Sequence, residues 1–320
     1  MNNLGYCCIN LSLKPLGIST NRGMIKRTFI EKGIAYAGEL SLKNIVDLKK
    51  ILQWNVEHGI RVFRMSSSLF PWMSEYHFSE LPNYAEIKSN LEEIGKYVLD
   101  NDLRVGFHPG QYCVLPSPTE RVVNNTVYDL DKHAEILDLM GLPQNYKYSL
   151  NIHVGGTYGD KESSLKRFAK NFKRLSKSTQ SRLVVENDDK ASQYSVVDLY
   201  NGLHKEIGIP ITFDFFHHLF CTGDLSQEQA ARLAATTWPD YTRPLAHFSS
   251  SKKLNEDAKV IERSHADFLY DVIPPIGEIF DIEIEAKSKE LALFKYIEQC
   301  KNGFKIEKPK LETLFTDKKE

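Results

Sequence analysis

A single (β/α)8 barrel is the fold this 320-residue chain predicts. Three observations predict it. Eight short β-rich runs recur along the chain, amphipathic stretches separate them, and from the third run onward each carries an imidazole or carboxylate at or near its end. Alternating strands and helices make a parallel sheet, and eight such units are the number that closes one into a barrel.

The runs are LGYCCINL (4–11), RVFRMS (61–66), LRVGFH (103–108), YSLNIHV (148–154), RLVVEN (182–187), PITFDF (210–215), PLAHFS (244–249) and DIEIEA (281–286). Between them, SLKNIVDLKKILQWNVEHG, NYAEIKSNLEEIGKYVLDND, LDKHAEILDLMG and SLKRFAKNFKRLS return Leu, Ile or Phe every three or four positions, the period of a half-buried helix. The barrel domain is placed at 1–302 and a polar tail at 303–320, where KIEKPKLETLFTDKKE is expected to pack loosely or to be disordered.

Composition agrees. With 42% hydrophobic and 26% charged residues the chain reads as a soluble globular protein, which excludes collagen-like and disordered classes. The five cysteines are odd in number and form no CxxC pair, so neither a disulfide framework nor a cysteine-based zinc site is expected. No run approaches the roughly 20 apolar residues of a membrane span. The N-terminus lacks the basic-then-apolar order of a signal peptide, so a cytoplasmic protein is expected. A net charge of −1 gives no whole-molecule attraction to nucleic acid, and any such contact must be local.

Barrel chemistry sits at the C-terminal ends of the strands. Those ends carry His108, His153, Glu186, Asp214 with His217, His247 and Glu285, and His265 follows in SHADF. From His108 the successive intervals to His153, Glu186, Asp214, His247 and Glu285 are 45, 33, 28, 33 and 38 residues, about one strand-helix unit each. Any one strand histidine is ordinarily a hydrogen-bonded core residue. Six successive strand ends with ligand-type side chains are not explained that way. Imidazoles and carboxylates suit Zn, Mn and Fe(II), and a carboxylate such as Glu186 can bridge two cations. The set exceeds one ion's needs and suits two or three, the arrangement used for in-line phosphoryl displacement, so phosphodiester hydrolysis follows. Of the adjacent His217 and His218, His217 is preferred, because Asp214-x-x-His217 brings both ends together across a strand-exit turn. His58, His77, His133 and His204 are read as structural or surface. Asp281, Glu283 and Glu285 share one face of the last run and need neutralising, with Arg64 and Lys287 as candidates.

In order along the chain, LGYCCIN, FRMSSSLFPW, FHPGQY, NIHVGG, VVEND, DFFHH, HFSSS, HADF and IEAKSKE resemble the UV damage endonucleases, which are related to the endonuclease IV type of AP endonuclease. The likeness covers about residues 4–297. It implies a metal-dependent enzyme that acts on double-stranded DNA and nicks immediately 5′ to UV photoproducts, both cyclobutane pyrimidine dimers and 6-4 photoproducts. By the same resemblance, His108, His153 and Glu186 hold a first ion, Glu186, Asp214, His247 and Glu285 a second, and His217 with His265 a third. Glu186, His247 and Glu285 form the catalytic core. Manganese is the cation implied, while the ligand types equally suit Zn2+. Gln111 and Tyr112 would wedge into the base stack beside an extruded lesion, and Tyr6 and Asn10 would face the lesion or the site. No membrane association and no obligate protein partner are expected.

One residue departs from the pattern: many members carry Lys two positions before the seventh-strand histidine, where this chain has Leu245, which puts the third ion in doubt. The connection at 14–32, with Lys14, Arg22, Lys26, Arg27 and Lys32, could supply phosphate contacts or be a solvated loop. Competing readings are an AP endonuclease acting mainly at abasic sites, a metal-dependent sugar isomerase-like barrel, and a catalytically silent DNA- or metal-binding barrel.

Overall fold

Each β-rich run forms one parallel strand of a closed barrel in the computed structural model, which describes residues 3–304. The strands are β1 Leu4–Cys8, β2 Val62–Met65, β3 Arg104–Phe107, β4 Leu150–His153, β5 Leu183–Glu186, β6 Ile211–Asp214, β7 Leu245–Phe248 and β8 Asp281–Ile284. They pair in sequence order, and β8 returns to β1. The polar tail lies, from residue 305 on, outside the described residues.

Side chains alternate across each strand, and the two sides are filled differently. Phe63, Met65, Val105, Phe107, Ile152, Val185, Phe213, Phe248 and Ile284 join one continuous apolar core with the helices, among them Ile45, Leu48 and Ile51 of helix Lys26–Glu57 and Ile87, Leu91 and Ile94 of helix Tyr84–Asp100. Each such side chain contributes roughly 1.5–3 kcal/mol through its removal from water. A second apolar cluster of Val184, Leu245 and Trp238 is separate from that core. Beside it the Arg104 guanidinium lies over the Trp238 ring, 5.1 Å from its centroid, and pairs with Asp281 at 2.9 Å. Asp281 also meets Arg243 at 3.2 Å, so this carboxylate is neutralised rather than left wet. Leu245 shares its strand face with His247, as alternation requires, but packs one level below it against Val184 and Trp238. Leu245 thus belongs to an apolar cluster beneath the ligand-bearing level.

Two helices begin earlier than periodicity indicates. The first runs from Lys26, and the third covers Glu120–Leu139, ten residues ahead of the LDKHAEILDLMG stretch. Both added segments carry apolar residues that reach the core, among them Phe29, Ile34, Ala37, Val123 and Val127. Gly33, at φ 66° and ψ −165°, interrupts the first helix in a conformation that glycine adopts without steric cost. Residues 26–32 are therefore helical rather than loop. Arg22 is not free for phosphate either: it pairs with Asp47 at 2.6 Å and donates to the carbonyls of Gly17 and Ser19. Lys14, Lys26, Arg27 and Lys32 remain exposed. Among the described residues no helix is long and apolar enough to cross a membrane.

Candidate metal centre

Strand register sets the site. His153 lies beside Glu186 across β4 and β5, Asp214 beside His247 across β6 and β7, and His247 beside Glu283 across β7 and β8. Glu186 is buried at the centre, and its two oxygens face different partners. Oε2 meets His108 Nε2 at 3.0 Å and His153 Nε2 at 3.8 Å, and accepts from Asn151 Nδ2 at 2.5 Å. Oε1 meets His247 Nδ1 at 3.0 Å and His217 Nδ1 at 3.2 Å.

Among the described residues, three groups hold their ligand atoms within 4.8 Å of one another: His108, His153 and Glu186; Glu186, Asp214 and His217; and Asp214, His247 and Glu285. The donor set is what divalent cations take, and the geometry has room for them. Among the described residues Asp214 Oδ2 is buried without a hydrogen-bond partner while lying 3.8 Å from His217 Nδ1 and 3.9 Å from His247 Nδ1. Burying an unpaired carboxylate oxygen is costly, and a cation at this point would remove that cost.

The strand-exit turn after β6 selects between the two adjacent histidines. Asp214 Oδ1 accepts from the backbone N–H of His217 at 2.7 Å, which tightens the turn and brings the imidazole to Glu186. His218 points elsewhere, to the Leu225 carbonyl at 3.2 Å. His265 is brought to the rim by an antiparallel bridge to Ser251, and its Nδ1 lies 3.6 Å from Glu285 Oε2. It belongs to none of the three groups. His217 sits with Glu186 and Asp214, and its ring centroid is 5.9 Å from that of His265.

Electrostatics follow from this crowding. Burial opposes the charge on Glu186, yet His247 and His153, with hydrogen bonds from His108 and His217, hold it well below the usual carboxylate range. Burial likewise opposes Glu285, and Arg64, His247 and His265 bring it down. Asp214 is pushed up by burial. His217, despite burial, is raised to about 10 by Asp214 and Glu186, and His247 is raised well above its ordinary value by Glu186 and Glu285. His108 is lowered by burial and so offers a neutral imidazole. Without cations, protonated imidazoles balance the carboxylates; cations would displace those protons.

Arg64 neutralises the last strand, pairing with Glu285 and lying 3.6 Å from Glu283. Lys287 is exposed and makes no ion pair with the described residues. Gln111 and Tyr112 lie exposed on the loop after β3, Tyr112 at 83%. Tyr6 and Asn10 require a correction. They are 0% and 1% exposed, the Tyr6 hydroxyl donates to Asn55 Oδ1 at 2.7 Å, and Asn10 Nδ2 donates to that hydroxyl at 2.9 Å. Tyr6 points outward from the barrel into the core beside Phe63, and Asn10 ties down the turn after β1, where its Oδ1 accepts from Leu13 N–H. Neither presents surface to DNA.

Several supporting residues escaped the sequence reading. Asn151 holds Glu186, Asp188 Oδ1 lies 3.1 Å from His153 Nδ1, and Asn187 exchanges hydrogen bonds with the backbone of Asp214 at 2.9 and 3.0 Å. Period-two alternation would have found the first two: Asn151 precedes His153 by two positions, and Asp188 follows Glu186 by two.

This combination defines a class, the (β/α)8 barrels whose C-terminal mouth can hold divalent cations. The particular family is narrower. The chain belongs to the UV-endonuclease UvdE family, whose model matches residues 2–314. It is 36% identical over 302 residues to the UV-damage endonuclease of Schizosaccharomyces pombe, covering 91% of this chain and 49% of that protein, about half its length. It is 31% identical over 306 residues to the UV DNA damage endonuclease of Clostridium perfringens, covering 93% and 70%. Among solved structures it resembles SacUVDE, with a TM-score of 0.80 and 32% identity over 94% of this chain and 98% of that one.

The raised histidines give a pH signature. A group whose folded pKa exceeds its unfolded value contributes stability that is complete below the unfolded pKa and lost as pH rises through the folded one. For His217 that window runs from about 6.5 to about 10. In chelator-stripped protein, the thermal midpoint is expected to fall as pH rises across this window, and saturating Mn2+ should flatten the fall. A midpoint independent of pH in the stripped protein would contradict the assignment.

Proposed function

We propose that the chain is a metal-dependent DNA repair endonuclease that nicks the backbone immediately 5′ to UV photoproducts, cyclobutane pyrimidine dimers and 6-4 photoproducts alike. The observation that carries the reading is Glu186, one buried carboxylate whose two oxygens face two separate sets of ligand side chains. Such a shared centre suits a hydrolase that must activate water and stabilise a leaving oxygen on one phosphodiester. Membership of the UV-endonuclease family supports DNA as the substrate and UV damage as the target.

In this reading His108, His153 and Glu186 hold one ion, and Asp214, His217, His247 and Glu285 complete the positions on the other side of Glu186, with His265 at the rim. Divalent cations held there, Mn2+ or Zn2+, would supply Lewis-acid polarisation of the phosphate and activation of water. The chain's own residues do the rest. Asn151 fixes the Glu186 carboxylate, Asp188 orients the His153 ring, and Arg64 keeps Glu285 ionised and in place. Exposed Tyr112 is suited to fill the stack that an extruded pyrimidine pair vacates, and Gln111 to hydrogen-bond the opposite strand. A crosslinked pair has lost stacking and is cheaper to extrude than a normal one, which gives lesion selectivity a physical basis. The exposed Lys14, Lys26, Arg27 and Lys32 are suited to phosphate contact.

A labelled duplex carrying one photoproduct tests the reading, with stripped protein, added Mn2+, Mg2+ or Zn2+, and undamaged and abasic controls. Metal-dependent cleavage just 5′ to the photoproduct is expected; cleavage at the abasic site alone would favour an AP endonuclease. Glu186→Ala should abolish nicking, because it removes the ligand shared by two ions, and full activity in that variant would sink the multi-metal assignment. Tyr112→Ala should reduce the preference for damaged over undamaged duplex while leaving Mn2+ binding unchanged. Equal discrimination by this variant and the wild type would remove Tyr112 from lesion reading.

A further inference from the structure

His247 uses only one of its nitrogens on the proposed centre. Nδ1 faces Glu186 Oε1 at 3.0 Å, Glu285 Oε1 at 3.5 Å and Asp214 Oδ2 at 3.9 Å, while Nε2 points the other way, into the barrel. There it lies 3.3 Å from Glu283 Oε2. Both of these atoms are buried, and neither has a hydrogen-bond partner among the described residues. An imidazole that ligates through one nitrogen is fixed in tautomer and ring orientation by the hydrogen bond its other nitrogen donates, and a carboxylate is the strongest acceptor for it.

We propose that Glu283 is a positioning residue for His247, accepting the Nε2–H so that Nδ1 is held deprotonated and aimed between Glu186, Asp214 and Glu285. The inference rests on the metal-centre reading and extends it to a residue outside the ligand set. Parallel register sets the contact, since Glu283 is the β8 partner of His247. Glu283 belongs to none of the three ligand groups found among the described residues. Charge balance for Arg64 does not explain it either. Arg64 already pairs with Glu285 at hydrogen-bond distance, and its Nη1 stays 3.6 Å from Glu283. Arg64 balances the charge of Glu283 but leaves its buried Oε2 without a hydrogen bond among the described residues, and donation from His247 Nε2 supplies one.

The test uses the full chain, stripped of metal and titrated with Mn2+ while free ion is followed by electron paramagnetic resonance. Glu283→Met keeps the volume and removes the acceptor; Glu283→Gln keeps a neutral one. Wild type should bind at least two ions. In Glu283→Met one of them should weaken by about 10–100-fold, the range for loss of such an outer partner, with the other unchanged, and Glu283→Gln should lose less. The nicking kcat at limiting Mn2+ should fall in the same order with KM for DNA unchanged, and excess Mn2+ should restore it. Unchanged affinity for every ion in Glu283→Met would overturn the proposal, whereas a wild type that binds no Mn2+ would overturn the metal-centre reading itself. A second measurement needs no variant. In the Zn2+-loaded wild type, 15N shifts should identify His247 as metal-bound at Nδ1 and protonated at Nε2, and binding through Nε2 would overturn the proposal even if both variants failed to fold.

Discussion

The structure turns on one buried carboxylate. Glu186 lies at the end of β5 with an imidazole or amide against each of its oxygens. An isolated carboxylate at this depth would cost several kcal/mol even after relaxation. It is tolerated because β4, β6 and β7 each bring a donor to it, and each donor is itself held. Asp188 lies against His153, the Asn187 carbonyl accepts from His217 Nδ1 at 3.0 Å, and Glu283 faces His247. Removing any one donor leaves the remaining charges less balanced, so the barrel mouth behaves as one electrostatic unit.

Beneath that unit the barrel interior changes character by level. Arg104, Asp281 and Arg243 form ion pairs near the opening strand ends, and Val184, Leu245 and Trp238 make an apolar layer beside them. Leu245 lies in that layer, one level below His247 on the same strand face. Glu283 reaches His247 from the neighbouring strand. The ligand-bearing level thus stands above a level of apolar and ion-paired side chains.

Much of this was legible in the sequence because barrel geometry is periodic. Strand runs alternate with period two, units recur at roughly fixed length, and functional side chains gather at one end, so His108 through Glu285 could be read as one set. His217 was separable from His218 because an Asp-x-x-His turn has a defined geometry, realised here by the Asp214 carboxylate on the His217 N–H. What was not legible has equally physical causes. Tyr6 follows Gly5 on a strand where successive residues face opposite ways, and the motif alone did not tell which way its ring points; it points out to Asn55 of the first helix, a contact 49 residues away in sequence. The helix starts at Lys26 and Glu120 lie ahead of the stretches that periodicity picked out, the first of them across the break at Gly33. Glu283 looked like a charge in need of a counter-ion, and its pairing with His247 depends on inter-strand register, which composition does not encode.

The central claim is that the two oxygens of Glu186 serve two cation positions. Crystals of the stripped protein soaked in Mn2+ and measured at the manganese absorption edge test it most directly. The account predicts anomalous peaks on both sides of the Glu186 carboxylate, one among His108 and His153 and one among Asp214, His247 and Glu285. A single peak away from Glu186, or none at saturating Mn2+, would contradict it.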